Sequence, residues 1–213
     1  MPDPDCSCCN ATDGEETEIE STTDRWIGES SALDAELPDD VGALLGRVLG
    51  GEPAETLNDW LTEVRRRTDG GSIAVADLCH ADEETGHRGE MDGETYHFQC
   101  FYDAVALSGL AETPVDIRTE SPDGAVIEAR ATGTSDLTVT PEEAVFSFGV
   151  DEAAAAPENR EAVVEDVYAA VCPYVKAFPD REAYGRWAET VPAATVAMPL
   201  TGATEIASRL IEE

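Results

Sequence analysis

Lysine is almost absent from this chain. Lys176 is the only one in 213 residues, and the other basic residues are all arginine. Against them stand 46 Asp and Glu, for a formal net charge of −33. Phosphate binding needs a basic patch, so nucleic acid is excluded as a partner. The single local basic run, Arg65-Arg66-Arg67, closes a predicted helix, where cations complement the helix dipole. Long apolar runs are also missing. Nothing approaches the roughly 18 consecutive apolar residues that a membrane-spanning helix requires, so no membrane association is expected. The N-terminus is acidic and lacks a basic n-region followed by an apolar stretch, which excludes a secretory signal and points to the cytoplasm. There is no Gly-rich phosphate loop, no Ser-His-Asp signature and no His-Glu-x-x-His pair, which removes the common nucleotide, serine-hydrolase and zinc-protease chemistries.

What remains is acid, a core and thiols. A surface so rich in carboxylates is the composition expected of a protein from an extreme halophile. A heavily hydrated acidic surface stays soluble in molar salt, where the Debye length shrinks to about 3 Å and self-repulsion is screened. Apolar residues make up 42% of the chain, enough for a real core. Six cysteines are present: Cys6, Cys8, Cys9, Cys79, Cys100 and Cys172. Without a secretory context they read as free thiols in a reducing compartment, open to metal or chemistry, rather than as a disulfide framework.

Three regions follow from pattern. Residues 1–35 are polar, acidic and non-periodic and read as a flexible arm carrying the Cys6-Ser7-Cys8-Cys9 cluster. Residues 36–70 read as a helical region. Val41, Leu44, Leu45, Val48 and Leu49 recur at helical spacing, and Leu57, Trp60, Leu61 and Val64 repeat the pattern after Gly50-Gly51 and Pro53. Residues 71–213 read as an α+β core: a mixed or antiparallel β structure flanked by helices. Strands are predicted over 72–78, 95–99, 115–120, 125–132, 137–140, 144–150 and 195–200, with Ser121-Pro122-Asp123-Gly124 as a hairpin turn. Helices are predicted over 101–110, 157–171, from Asp180 to Glu189, and after Thr201 to the end.

Cys100 and Asp103 open the helix predicted at 101–110. Three residues apart, they share a face. A helix start also favours a thiolate and lowers a thiol's pKa. Alone, a small core cysteine and an acidic residue in a first helical turn are ordinary. Cys172 lies far downstream in Val171-Cys172-Pro173-Tyr174. Two soft thiols and a carboxylate could hold a thiophilic metal and move a proton. Cys79-His80 with His87 offers zinc-like ligand types but no convincing fourth ligand, and Cys79 is expected to be a buried residue ending a strand. The Cys6, Cys8, Cys9 string is an exposed cluster or a soft-metal relay.

The context of Cys100 resembles the organomercurial (alkylmercury) lyases. Asp92-Gly93-Glu94-Thr95-Tyr96-His97-Phe98-Gln99-Cys100-Phe101-Tyr102-Asp103-Ala104 is similar to that family's entry into a Cys-x-x-Asp site. The family's sheet region, its helix to a second cysteine, an aromatic stretch and a Trp-bearing helix follow in the same order through residue 190. Gln99 stands where the family has an aromatic, Pro173 where it often has an adjacent second cysteine, and the N-terminal helical region is shorter. The resemblance implies that Cys100 and Cys172 bind mercury and that Asp103 carries a proton to the mercury-bound carbon. It implies protonolysis of R–Hg⁺ to R–H and Hg(II) in mercury detoxification, with no cofactor. Hg(II) is held as product by Cys100, Cys172 and Asp103, and outside thiols are needed for its release. The partners it implies are an organomercurial substrate and a small thiol or a mercuric reductase as acceptor, with the enzyme a monomer. The alternative from the residues alone is a non-catalytic thiol protein that holds Hg, Cu or Zn without cleaving carbon.

Overall fold

The structure, a computed structural model, describes residues 25–28, 31–67 and 73–211. The Cys6, Cys8, Cys9 cluster, the rest of the 1–35 arm up to residue 24, and the Asp69-Gly70-Gly71 stop lie outside the described residues; the end of that arm is not a free segment, since Trp26 bridges Ala197 and Ile27 and Ala32 are buried. Two helices come first. Helix α1 (Asp39–Leu49) buries Val41, Leu45, Val48 and Leu49 and ends at Gly50, whose φ of 66° closes the last turn. Gly42 and Gly46 lie on the same helix. A Cβ at either would fall 2.3 Å from the Ala54 oxygen or 2.2 Å from the Glu52 oxygen, so the connection to the next helix crosses directly on the α1 backbone. Helix α2 (Leu57–Arg67) starts on a reciprocal cap: Thr56 Oγ1 accepts from the Asp59 amide at 3.1 Å, and Asp59 Oδ2 accepts from the Thr56 amide at 3.1 Å. Its buried face is Leu57, Trp60, Leu61 and Val64, as their spacing predicts.

The rest is α+β, as expected, and both sheets are antiparallel. Strands β1 (Arg88–Met91), β2 (Glu94–His97), β3 (Val115–Glu120), β4 (Val126–Thr132) and β5 (Asp136–Thr140) form a five-stranded sheet in the order β2-β1-β3-β4-β5. In β3, Val115, Ile117 and Thr119 face the core while Asp116 and Glu120 face out. That alternation gives the sheet one buried and one charged face. On the charged face Arg130 donates to Asp116 across the β3–β4 pair at 2.5 Å. Helix α3 (Phe101–Ala111) joins β2 to β3 and covers the buried face, packing on β1, β3 and β4.

The second sheet joins β6 (Val145–Asp151), β7 (Ala177–Phe178) and β8 (Ala193–Pro199) in the order β7-β6-β8. Six consecutive residues of β6 and six of β8 are buried, because α1, α4 (Val164–Val171) and α5 (Arg181–Ala188) cover it. Strands buried on both faces lose the alternating signature. Asp180 caps α5 by accepting from the Ala183 amide at 2.8 Å. Helix α6 (Ala203–Ile211) closes the chain by packing on α3 and α2.

Three expectations are corrected. In the strand expected over 72–78, the described residues 73–78 form none: Val75–Asp77 is a 3-10 turn, closed by Asp77 Oδ2 accepting from the Ala74 amide at 2.9 Å. The helix predicted over 157–171 covers only Val164–Val171. Asp166 accepts from the Val163 amide at 2.9 Å and from Arg160 at 2.6 Å, which holds residues 160–163 outside the helix. Arg88–Met91, which lies in none of the predicted strands, stands between β2 and β3 in the five-stranded sheet. Among the described residues no helix is long and apolar enough to cross a membrane.

Candidate active site

Cys100 sits at the N-cap of α3 in extended conformation, as the last residue before the helix turns in. Its sulfur does not cap the helix amides. It donates instead to Asp103 Oδ2 at 3.3 Å, one turn on. The i, i+3 spacing therefore does what a helix start allows and closes a thiol–carboxyl pair on one face. The pair is nearly sealed from solvent, with Cys100 2% and Asp103 8% exposed. The other carboxyl oxygen, Oδ1, accepts from the Cys79 amide at 3.4 Å. Burial raises the Asp103 pKa above the ordinary carboxylic range, and the bonds from Cys100 and from the Cys79 amide only partly offset it. The carboxyl is thus poised to hold a proton.

Cys172 ends α4 and begins a 3-10 turn, Cys172–Tyr174, with Pro173 inside it. That turn brings its side chain back toward α3. Its thiol lies within interacting range of both Cys100 and Cys79. The neighbouring thiols, together with burial, push the Cys172 pKa far up, while the interaction with Cys172 pulls the Cys79 pKa down against burial. Clustered thiols give up one proton readily and resist giving up the next. Cys79, Cys100 and Cys172 are all free thiols.

Cys79 was expected to be a buried cysteine closing a strand. It is half-buried instead, in a strap that follows the 3-10 turn. The Gln99 amide donates to the Cys79 carbonyl at 2.9 Å, the Ala81 amide donates to the His97 carbonyl at 2.8 Å, and His80 bridges Phe98. The strap thereby runs alongside the approach to Cys100. Neither histidine joins Cys79 as a ligand. His80 Nε2 is engaged by the Val75 carbonyl at 2.8 Å, and His87 Nδ1 by Thr119 Oγ1 at 2.6 Å. Among the described residues, no three His, Cys, Asp or Glu side chains form a ready-made metal cage.

Asp103 and the three cysteines line one cavity of about 70 Å³. Its remaining walls are almost wholly apolar, including Trp60, Phe146, Phe148, Val167 and Ile206. Two donors along it, Trp60 Nε1 and the Tyr102 hydroxyl, are buried without a hydrogen-bond partner among the described residues. Burial also drives the Tyr102 and Tyr168 hydroxyls well above their ordinary pKa, which keeps both neutral. Cys100, Asp103 and Cys172, named from the sequence, are brought together. Cys79, Tyr102 and Trp60 were not foreseen at the site. Tyr102 stood between the two motif residues, but nothing local marked Cys79.

The pattern of the alkylmercury lyase family matches residues 81–212, well over half the chain. That span contains Cys100, Asp103 and Cys172 and begins two residues after Cys79. A search of curated proteins finds no match. Among solved structures the chain is similar to one described as the mercury-bound form of MerB2. The TM-score is 0.46 and the identity 18%, over 73% of this chain and 75% of that one. By the family match, the chain belongs to the alkylmercury lyases.

Proposed function

We propose that this lyase cleaves the carbon–mercury bond of R–Hg⁺ by protonolysis, with Cys100 and Cys172 as mercury ligands and Asp103 as the proton carrier. The observation that supports this most strongly is the Cys100–Asp103 contact of 3.3 Å, with Cys172 in range, inside an apolar cavity. Hg(II) is soft, so thiolates are its preferred ligands. R–Hg⁺ arrives on an outside thiolate, which leaves with the Cys100 proton as Cys100 takes the metal as R–Hg–S. Asp103 accepts the Cys172 proton, and the Cys172 thiolate adds to mercury and feeds electron density into the Hg–C bond. The proton then passes from Asp103 to carbon as that bond breaks. The products are R–H and Hg(II) on two sulfurs, with Asp103 again a carboxylate, and no electron leaves the system. The raised pKa of Asp103 suits both halves of the step, because a buried carboxyl accepts and holds a proton that an exposed one would shed. A cavity lined by apolar side chains keeps competing water away from the developing charge.

Release falls to outside thiols, small ones or those of a mercuric reductase, since two thiolates hold Hg(II) tightly. The test is incubation with methylmercury or phenylmercury and excess small thiol in high salt, reading methane or benzene. Hydrocarbon from the wild-type chain, and none from Cys100→Ala or Cys172→Ala, is the expected result. Tight mercury binding with no hydrocarbon from the wild type would mean a mercury-binding protein that leaves carbon untouched.

A further inference from the structure

The lyase reading uses two thiols, and the cavity wall carries a third. Cys79 lines the same cavity as Cys100, Asp103 and Cys172, and it is within interacting range of Cys172. Its backbone is fixed at both polar groups: its amide donates to Asp103 Oδ1 at 3.4 Å, and its carbonyl accepts from Gln99 at 2.9 Å. The thiol is therefore presented by a strap tied to the active carboxyl itself. It also differs in exposure. Cys100 is buried, whereas Cys79 and Cys172 are both half-buried.

We propose that Cys79 is a third mercury ligand, which takes the Hg(II) product from Cys100 and moves it toward the accessible side of the cavity. The proposal rests on the lyase reading for the origin of that Hg(II). The step is a thiolate exchange. The Cys79 thiol gives its proton to the Asp103 carboxylate, and its sulfur adds to the Hg(II) held by Cys100 and Cys172. The three-sulfur complex then loses the Cys100–Hg bond, and the Cys100 thiolate recovers the proton from Asp103. One Hg–S bond forms and one breaks, a single proton crosses the carboxyl, and no sulfur changes oxidation level. Mercury ends on Cys79 and Cys172, the pair that an outside thiol can reach, and Cys100 is free for the next R–Hg⁺.

The test uses the full-length chain with Cys6, Cys8 and Cys9 replaced by serine, so that only these three thiols report. One equivalent of Hg(II) chloride is added, and X-ray absorption at the mercury edge counts the sulfurs, with circular dichroism checking that each variant is folded. In a Cys100→Ser variant the proposal expects two sulfurs on mercury, from Cys79 and Cys172. Adding Cys79→Ser to that variant should leave one sulfur. Affinity should fall at least about tenfold, because a direct ligand is worth no less than the outer partners whose loss costs about 10–100-fold. If Cys100→Ser alone already holds mercury through one sulfur, and the added Cys79→Ser changes nothing, Cys79 is not a ligand. Hydrocarbon release is measured separately on the wild-type chain. Its absence would end the lyase reading while leaving the sulfur count to decide the role of Cys79.

Discussion

The two walls of the thiol cavity are built in opposite ways. On one side, Cys100 and Asp103 are a single helical turn apart, buried, and held to each other at 3.3 Å. On the other, Cys79 and Cys172 are 93 positions apart in the numbering, Cys79 just after one 3-10 turn and Cys172 at the start of another, each half-buried. A local pair on a helix start is geometrically stiff, because the helix fixes both residues together. A pair assembled from a strap and a helix end depends on tertiary contacts and lies nearer solvent. Proton transfer to carbon needs the first kind of precision. Exchange of the product ion with outside thiols needs the second kind of access. The difference in construction fits the proposed division between bond cleavage at Cys100 and Asp103 and product exchange at Cys79 and Cys172.

The largest effect that would sharpen this contrast is on the α3 wall. Asp103→Asn preserves the shape and can still accept from the Cys79 amide, but it cannot carry a proton. Turnover of methylmercury should drop by about 10²–10⁴-fold, the usual worth of a positioned acid/base. One equivalent of Hg(II) should still bind in equilibrium dialysis. Turnover that survives Asp103→Asn within a few-fold would remove the carboxyl from the reaction and dissolve the contrast.

The same contrast explains what could be read in the sequence. That Cys100 and Asp103 share a face was legible from one local rule, the i, i+3 spacing at a helix start, while their reading as a site came from the family resemblance around them. Strands β3 and β4 were legible because one face is buried and the other charged. Cys172 was legible only through the order of elements in a family resemblance, since nothing near it in the chain points to Cys100. Cys79 was not legible at all. Its local text suggested a strand, yet the Asp77 carboxylate bends that text into a 3-10 turn, and the pairing of 79–81 with 97–99 is a tertiary fact. Arg88–Met91 was missed for a related reason: Arg-Gly-Glu-Met has no apolar alternation, and the strand exists because β2 and β3 pair with it on both sides.

A smaller effect should come from the gap between the walls. The cavity of about 70 Å³ is roughly half the 150 Å³ of an engineered cavity that accepts benzene. Methylmercury should therefore be the better substrate, with kcat/KM for phenylmercury lower by about 10–100-fold, the range that hydrophobic pocket size can deliver. Phe148 lines the cavity against Trp60, with ring centroids 5.3 Å apart. Phe148→Leu should narrow the gap between the two substrates by raising the phenylmercury rate, read as benzene release beside methane release. Equal rates for both substrates in the wild-type chain would show that the walls part readily on binding.

The smallest expected effect concerns the strap that sets Cys79 beside Cys100. His87 is tied to Phe98, the residue the strap meets through His80: the His87 carbonyl accepts from the Phe98 amide at 3.0 Å, and Nδ1 meets Thr119 Oγ1 at 2.6 Å. Burial, with the nearby Lys176 charge, depresses the His87 pKa to about 4 from the ordinary 6.5. The unfolded chain therefore takes up a proton first as pH falls, which favours unfolding between about pH 6.5 and 4. The stability from neutral His87 is full above pH 6.5 and lost on the way down to about pH 4. Over that window the wild-type chain should lose on the order of 2 kcal/mol more than a His87→Asn variant, which stays neutral throughout. Thermal unfolding of both at pH 7, 5.5 and 4.5 measures the difference. Parallel falls in Tm would place the acid sensitivity elsewhere, in the carboxylates of the surface, and would leave the strap as firmly held as the α3 wall it faces.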